Sequence, residues 1–425
     1  MKQIISAVSS PIHARITIPG SKSITNRALL LAALSEGVAE LFDILLSDDT
    51  WAFINALTEL GIVIQVDESA NSCIVAGGMG EFPKKESFIW CDNAGTVARF
   101  LLAACAATPG IYHFDASPQL RQRPIAPLLR TLCGQGAKLI EDTHKMPFTI
   151  IGSEGLRGGE IEIESSESSQ FVSALLMVAP FAKLPVLVKT HDLVSNPYVD
   201  MTCAMMADFG VLVRRMHSVR FSIPAPQRYV ARDYVIEPDL STASYFFAAA
   251  AVSAGEVTIQ AVDRLNSKQA DVEFLCVLEK MGCEVISTET GLTVKGPQKL
   301  VGVKVDMRHF SDTFMTLAAL APFAETPTTI TNIAHARLQE SNRISVMREG
   351  LERLQVKVEE GQDWLKIYPS TPIAASIDSH MDHRIAMAFS VIGLRIPGIE
   401  IDGAECVAKT CPNFFKMWDD LQPGR

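Results

Sequence analysis

A helix signature recurs six times along this chain, at intervals of roughly 70 residues. Each time, a polar segment rich in Ser, Asp, Asn or Gly precedes a run of Ala and Leu that is apolar on nearly all sides, which is typical of a buried helix. The positions that anchor the six copies are Arg27, Phe100, Phe171, Tyr245, Phe314 and Ile385. This period is longer than that of most solenoid repeats. The recurrence therefore predicts six copies of one structural unit.

Short β-branched segments and amphipathic helices alternate between these buried helices, which is typical of an α/β protein. One unit reads as strand, buried helix, strand, outer helix and further strands. The outer helices are predicted at 49–60, 125–133, 198–209, 271–281 and 344–354. Units of this size cannot each enclose a core, so we expect the buried helices to pool into two domains of three. The first domain should cover residues 21–237, and the second should cover 238–425.

The strand before Gly20 could belong to either domain, and we group residues 1–20 with the second. This gives two lobes with buried helices inside and sheets outside.

The chain has 425 residues, a formal net charge of −10 and a pI of about 5.5. That charge argues against nucleic acid or an anionic membrane surface as a partner. An anion-binding site on such a chain must be a local cluster of cations.

Other classes of protein fit the sequence poorly. No uncharged apolar run of about 18 residues occurs, and no signal peptide is expected, so we predict a cytoplasmic protein without a membrane span. The nine cysteines form no C-x-x-C pair and read as reduced thiols. The pair His380 and His383 lacks a third ligand nearby, so we expect no metal.

Charged and amide side chains cluster at or beside the helix starts. They are Lys22, Arg27, Asn93, Arg123, Gln170, Asp312, Arg343, Arg384 and Lys409. If the helix starts converge on one cleft between the lobes, these cations would bind a substrate with more than one anionic group, since guanidinium forks bind carboxylate and phosphate bidentately. Asp312 and Glu340 supply carboxylates for proton transfer, and Gly95 would let the backbone approach a ligand closely.

The strongest single stretch is 19–27, where a strand and a Pro-Gly turn lead into a helix. Its N-terminus carries Lys22, Ser23 and Arg27, and free N–H groups and the helix dipole favour a bound anion there. The stretch is not a nucleotide-binding P-loop, because that motif requires glycines where this chain has Ile16 and Ser21.

The motifs together resemble the 5-enolpyruvylshikimate-3-phosphate synthase family along the whole chain and in order. They are Pro-Gly-Ser-Lys-Ser-Ile-Thr-Asn-Arg (19–27), Asn-Ala-Gly-Thr (93–96), Gln-Arg-Pro-Ile (122–125), Ser-Ser-Gln (168–170), Ser-Asn-Pro-Tyr (195–198), Glu-Ser-Asn-Arg (340–343), Asp-His-Arg (382–384) and Ala-Lys-Thr (408–410). The resemblance implies a two-lobed inside-out α/β barrel that acts as a monomer without a cofactor. It implies transfer of the enolpyruvyl group of phosphoenolpyruvate to the 5-hydroxyl of shikimate 3-phosphate, in the shikimate pathway of aromatic amino acid biosynthesis.

The resemblance also implies a role for each matching residue. Shikimate 3-phosphate would be held by Lys22, Ser23, Arg27, Ser168, Ser169, Gln170, Ser195, Tyr198, Asp312, His335 and Gln339. Phosphoenolpyruvate would be held by Lys22, Asn93, Gly95, Arg123, Gln170, Arg343, His383, Arg384 and Lys409. Asp312 would take the proton from the 5-hydroxyl, Glu340 would protonate the methylene carbon, and Lys22 would assist. Glyphosate would compete with phosphoenolpyruvate, since no methyl group stands at Gly95.

Three positions depart from the family pattern. Gln339 stands where Lys is usual, Ser311 precedes Asp312 where Pro is usual, and Phe100 follows Arg99 where many members have Pro. The missing cation at Gln339 should limit the rate, unless a neighbour such as His335 or Arg337 has replaced it.

Two other functions remain as alternatives. The sister family acting on UDP-N-acetylglucosamine has Lys-Asn in place of Lys22-Ser23 and a reactive loop cysteine, which the loop 117–122 lacks. A non-catalytic repeat protein that binds anions is the other, but carboxylates such as Asp312 and Glu340 would weaken a pure anion site.

Overall fold

The computed structural model describes residues 1–141, 143–191 and 196–421. Its helices are α1 (Lys22–Leu34), α2 (Asp48–Glu59), α3 (Leu102–Ala106), α4 (Pro118–Arg121), α5 (Ala126–Gly134), α6 (Gln170–Val178), α7 (Asn196–Asp208), α8 (Leu240–Ser253), α9 (Phe274–Lys280), α10 (Phe314–Leu320), α11 (Arg343–Arg353), α12 (His383–Gly393) and α13 (Phe414–Asp419). A π-helical turn covers Val97–Leu101, and 3₁₀ turns cover Ala179–Phe181, Ala270–Glu273, Ser311–Thr313, Ala321–Phe323, Ala334–Leu338 and Ala404–Lys409.

The strands are short, and many alternate between buried and exposed residues. They are β1 (Lys2–Ile4), β2 (His13–Ile16), β3 (Val38–Phe42), β4 (Val63–Asp67), β5 (Ser72–Ala76), β6 (Glu86–Trp90), β7 (Gly110–Asp115), β8 (Lys138–Leu139), β9 (Phe148–Gly152), β10 (Gly159–Glu164), β11 (Val186–His191), β12 (Arg214–His217), β13 (Arg220–Ile223), β14 (Tyr234–Val235), β15 (Glu256–Gln260), β16 (Glu284–Thr288), β17 (Gly291–Lys295), β18 (Lys304–Asp306), β19 (Thr328–Thr331), β20 (Val358–Glu360), β21 (Leu365–Ile367), β22 (Ser376–Asp378) and β23 (Glu400–Asp402). In β10 the two Ile side chains are buried and the three Glu side chains are exposed. One face of this strand therefore packs on the core and the other meets water.

Within the described residues, the strands form six sheets, and the predicted repeat is visible in their pairing. In β6-β7-β9-β8, the first two strands are parallel, and the π-helical turn and α3 lie between them in the sequence. Strand β9 pairs antiparallel with β7, and β8 pairs antiparallel with β9. The four sheets β10-β11-β13-β12, β14-β3-β5-β4, β16-β17-β15-β2 and β18-β19-β21-β20 have the same combination of one parallel and two antiparallel pairs. The sixth sheet, β1-β23-β22, joins the N-terminal strand to the last repeat.

The chain divides into two compact units. One is formed by Gly20–Ile236, and the other by Met1–Pro19 together with Glu237–Arg425. Two parallel pairs join distant parts of the chain within one unit: β2 pairs with β15, and β14 pairs with β3. Each unit has its own hydrophobic core, the first around α1, α3 and α6 and the second around α8, α10 and α12. Every residue of α8 and of α12 is buried, as the apolar repeat predicts.

Two of the repeated helices begin irregularly. The helix after Gly95 starts as the π-helical turn Val97–Leu101, and the helix after Asp312 starts as the 3₁₀ turn Ser311–Thr313. The outer helix predicted at 271–281 also begins as a 3₁₀ turn and becomes α-helical only at Phe274. In the described part of the chain, no helix has the length and apolar character that crossing a membrane requires.

Candidate active site

In the unit Gly20–Ile236, a buried arginine joins three helices. Arg27 on α1 is 2% exposed and donates from Nε to Thr202 Oγ1 at 2.7 Å. It also donates to the backbone oxygens of Ser23 at 3.0 Å and Tyr198 at 3.3 Å. Its guanidinium lies 5.1 Å from the ring centroid of Phe100. All of these partners are neutral, and burial lowers the pKa of Arg27 to about 10. A bound anion would therefore stabilise the charged form of this guanidinium.

Lys22 begins α1 and lies 3.3 Å from a carboxylate oxygen of Asp49, which is buried in the first turn of α2. Sequence reasoning did not identify Asp49 as a partner of Lys22. Ser168 Oγ accepts from the backbone N–H of Gln170 at 3.2 Å, and Ser169 stands at the N-cap of α6. Ser195 lies outside the described residues.

The loop before the π-helical turn brings Asn93 and Gly95 near two guanidinium groups. Asn93 Nδ2 donates to Gln119 Oε1 at 2.8 Å, which joins this loop to α4. A methyl group on Gly95 would lie 2.4 Å from Nη1 of Arg99 and 3.2 Å from Nη1 of Arg123. A methyl group on Gly95 would therefore require the Arg99 guanidinium to move and that of Arg123 to shift slightly.

In the second unit, one buried guanidinium binds three carboxylates. Arg343 begins α11, is 1% exposed, and donates from Nη2 to Glu340 Oε2 at 2.8 Å. It donates from Nε to Asp382 Oδ2 at 2.8 Å and from Nη1 to Asp312 Oδ1 at 3.2 Å. Burial lowers the pKa of Arg343, but Asp382, Glu340 and Asp312 outweigh it and raise that pKa overall. The two predicted proton-transfer groups thus meet at one cation.

Arg384 binds the other oxygen of Asp312, with Nη2 2.8 Å from Oδ2. It lies in the first turn of α12, where its backbone N–H donates to the N-cap side chain of Asp382 at 3.1 Å. Asp312 is therefore held between two guanidinium groups from two helices. His383 and Lys409 are buried in the same unit, and the ring of His383 lies 3.7 Å from Asp382 Oδ1.

The three departures from the family pattern each make a specific contact. Gln339 accepts a hydrogen bond from Arg343 through its side-chain oxygen. Ser311 Oγ is hydrogen-bonded to His335 Nε2 at 2.7 Å, a bond that proline could not make. Phe100 lies against Arg27, as described above. These side chains are thus part of the packing around the candidate site.

The suggestion that His335 or Arg337 replaces the missing cation is not supported. Burial lowers the pKa of His335 to about 4, so its ring is neutral near pH 7. The guanidinium of Arg337 is bound to Glu360 at 3.0 Å and to the backbone oxygens of Gly361 and Gln362 at 2.7 and 2.9 Å. The charge of Arg337 is therefore paired with the carboxylate of Glu360.

Sequence reasoning missed two buried polar groups in this cluster. Asp382 is 0% exposed and accepts from Arg343, Arg384 and Ser341, although the sequence indicates only a helix cap. Asp271 is buried beside Asp312 and Asp239, and burial is the main reason that its pKa rises to about 7. A search of the described residues finds no group of three or more His, Cys, Asp or Glu side chains arranged to hold a metal ion.

Comparison with known proteins gives a consistent result over the whole chain. Residues 7–418 match the family model of EPSP synthase (3-phosphoshikimate 1-carboxyvinyltransferase). The chain is 44% identical over 414 residues to 3-phosphoshikimate 1-carboxyvinyltransferase of Trichormus variabilis, covering 97% of each chain. It is 40% identical to the protein of the same name from Shewanella oneidensis, covering 99% of this chain and 100% of that protein.

A solved structure of EPSP synthase from Acinetobacter baumannii has the same fold. The TM-score is 0.86 at 24% sequence identity, over 99% of this chain and 98% of that one. The predicted α/β fold is therefore confirmed, and the sequence matches identify the family independently. This chain belongs to the EPSP synthase family.

Proposed function

We propose that this chain transfers the enolpyruvyl group of phosphoenolpyruvate to the 5-hydroxyl of shikimate 3-phosphate and releases phosphate. The name 3-phosphoshikimate 1-carboxyvinyltransferase, which its relatives carry, describes this activity. The observation that carries the proposal is the contact of one buried guanidinium, Arg343, with both Asp312 and Glu340. A base and an acid that meet at one anion-binding cation suit a reaction that adds a hydroxyl group to an anionic alkene.

The addition step uses the two carboxyl groups in opposite senses. Glu340 in its protonated form gives its proton to the methylene carbon of phosphoenolpyruvate, and the double bond supplies the electron pair. The 5-hydroxyl oxygen bonds to the adjacent carbon and passes its proton to Asp312. The product is a tetrahedral ketal that carries phosphate, carboxylate and the new ether.

The elimination step reverses the proton transfer at carbon. The new methyl group returns a proton to Glu340, its electrons restore the double bond, and the bond to phosphate breaks. The proton held by Asp312 leaves with phosphate. Arg123, Arg343, Arg384 and Lys409 would neutralise the phosphate and carboxylate throughout.

The ion pairs suggest how substrate prepares these groups. Arg343 and Arg384 hold Asp312 from both sides, and Arg343 also holds Glu340. The carboxylate and phosphate of phosphoenolpyruvate would compete for the same guanidinium groups. Because a cation favours the ionised form of a neighbouring carboxyl group, that exchange makes Asp312 a better proton acceptor and makes Glu340 easier to protonate.

We also propose that the enzyme is monomeric and cytoplasmic, where its nine unpaired cysteines stay reduced.

Release of inorganic phosphate tests the activity directly. We expect it only when shikimate 3-phosphate and phosphoenolpyruvate are both present, with the enolpyruvyl ether identified by mass spectrometry. Release with UDP-N-acetylglucosamine in place of shikimate 3-phosphate would favour the sister reaction. No release with either acceptor would favour an anion-binding protein without catalysis.

Gln339→Lys should raise kcat/KM by about tenfold, because a cation near the 5-hydroxyl stabilises the developing negative charge. The expectation is strengthened by His335 and Arg337, neither of which supplies that charge. The cluster that the new lysine would join has three carboxylates, those of Asp312, Glu340 and Asp382. It has two guanidinium groups, those of Arg343 and Arg384, so an added positive charge is favoured there. Steady-state kinetics of the single variant measures the effect.

Gln362→Lys adds the same charge at an exposed position in the same unit and serves as the control. A rate for Gln339→Lys that is unchanged or lower, with the control also unchanged, would mean that the wild-type site has no charge deficit.

Glyphosate should inhibit the enzyme at micromolar concentration in competition with phosphoenolpyruvate, and Gly95→Ala should weaken that inhibition. The added methyl group would lie 2.4 Å from Arg99 Nη1, so the guanidinium must move or the ligand must give way. Inhibition constants for both proteins measure this. Gly134→Ala is the control, since a methyl group there meets nothing within 4 Å. Insensitivity of the unaltered enzyme would contradict the prediction.

A further inference from the structure

Arg99 is a buried arginine to which the family resemblance gives no role. It lies in the π-helical turn Val97–Leu101, four residues after Gly95, and is 2% exposed. Single π turns inside helices occur frequently at functional sites. A guanidinium removed from water must be compensated by hydrogen bonds or charge, so its partners indicate what it holds in place.

Its hydrogen bonds reach three separate segments. Nη1 donates to the backbone oxygen of Gly95 at 3.2 Å and to the side-chain oxygen of Gln170 at 3.1 Å. Nη2 donates to the backbone oxygen of Pro124 at 2.8 Å. The guanidinium also lies 5.6 Å from the ring centroid of Phe171, which directly follows Gln170. One side chain thus connects the loop before the π turn, the segment before α5, and the start of α6.

Each of these segments carries a residue that the family resemblance assigns to phosphoenolpyruvate. Gly95 and Gln170 are contacted directly, and Pro124 follows Arg123 in the chain. Arg99 and Arg123 also both border the space where a Gly95 side chain would be, with Nη1 atoms 2.4 and 3.2 Å from that position. The position of Arg99 therefore bears on three of the five groups of this unit that are assigned to phosphoenolpyruvate, the other two being Lys22 and Asn93.

Lysine could not replace this arrangement. The planar guanidinium presents donors in fixed directions and stacks on an aromatic face, whereas the lysine ammonium is a single point on a flexible stem. Arg99→Lys keeps the positive charge and most of the volume, so it separates the effect of the fork from the effect of the charge.

We propose that Arg99 is a positioning residue of the phosphoenolpyruvate subsite, acting through Gly95, Gln170 and the segment that carries Arg123. The inference rests on the proposed function. It predicts a selective effect, because shikimate 3-phosphate shares only Gln170 among these groups, while phosphoenolpyruvate uses all of them.

Steady-state kinetics of Arg99→Lys test the proposal. We expect the KM for phosphoenolpyruvate to rise about tenfold, the KM for shikimate 3-phosphate to change less than about threefold, and kcat to fall less than the first KM rises; tenfold corresponds to about 1.4 kcal/mol. Arg395→Lys is the matched control, since Arg395 donates to the backbone oxygen of Val252 at 2.6 Å and lies 5.8 Å from the Phe323 ring centroid. Its kinetics should equal those of wild type.

If Arg99→Lys folds and its KM for phosphoenolpyruvate stays within about twofold of wild type, the proposal is overturned. A merely structural role would lower the melting temperature and leave this KM unchanged. If that variant does not fold, Phe171→Leu removes the ring beside Arg99 and keeps an apolar side chain. We then expect about a threefold rise in the same KM, and no rise overturns the proposal. Wild-type phosphate release, measured in parallel, tests the proposed function separately.

Discussion

Asp312→Asn and Glu340→Gln should each lower kcat by about 10²–10⁴-fold, while the KM for phosphoenolpyruvate stays the same or falls. Each change keeps the volume of the side chain and removes the group that accepts or donates the proton. KM should not rise, because Asp312 and Glu340 bind guanidinium groups, those of Arg343 and Arg384, that we propose hold phosphoenolpyruvate. Removing a competing carboxylate leaves the guanidinium groups more available to the anion.

Glu360→Gln is the matched control for these two variants. Glu360 also binds two arginines, Arg337 at 3.0 Å and Arg348 at 2.8 Å, but it has no assigned role in the reaction. We expect its kcat to stay within about twofold of wild type, because Glu360 is not among the groups proposed to bind substrate or to transfer a proton. Near-normal turnover in Asp312→Asn or Glu340→Gln would refute the role assigned to that residue.

Asp382→Asn should lower the free energy of unfolding by about 3–5 kcal/mol, the range found when one partner of a buried ion pair is removed. Asp382 is 0% exposed and accepts from Arg343 Nε and Nη2, from Ser341 Oγ and from the backbone N–H of Arg384. An amide can accept from some of these donors, but its NH₂ group faces a guanidinium with which it cannot pair. The melting temperature should fall by on the order of 10 °C.

Glu352→Gln provides the comparison for that measurement. Glu352 pairs with Arg348 at 2.6 Å on α11, and its side chain is 47% exposed. Its loss should change stability by less than about 1 kcal/mol. Equal melting temperatures for Asp382→Asn and Glu352→Gln would mean that the buried cluster does not stabilise the second unit.

The repeated helices show where sequence alone is sufficient. A buried helix such as α8 or α12 needs apolar residues on all sides and a cap, and Asp239 and Asp382 supply the caps through bonds to backbone N–H groups two or three residues away. Such signals are local, so they can be read from the chain. Motif residues such as Lys22, Gly95 and Glu340 are also visible in short segments, and their roles are proposed from the family resemblance.

The partners of those residues were beyond sequence reasoning. Arg99 could have been noticed, since it follows Gly95 by four residues in a helix, but its bond to Gln170 spans 71 positions. Arg337 stands two residues from Gln339 in the chain, yet its guanidinium binds Glu360 instead. The neutral state of His335 depends on how deeply the ring is buried, which no local pattern reports.

The sequence by itself determined the repeated α/β unit and the buried helices, because each depends on composition and spacing within a short segment. The family follows from the resemblance of its ordered motifs, and that resemblance implies the roles of the candidate reactive groups. Only the tertiary structure decided that β2 pairs with β15 and β14 with β3, and that Arg343 joins Asp312 across 31 positions and Asp382 across 39. It also decided that Arg99 connects the loop before the π turn, the segment before α5 and the start of α6. These contacts depend on how distant segments pack. Many arginines and carboxylates along the chain could pair, and burial selects among them by the cost of leaving a charge without a partner.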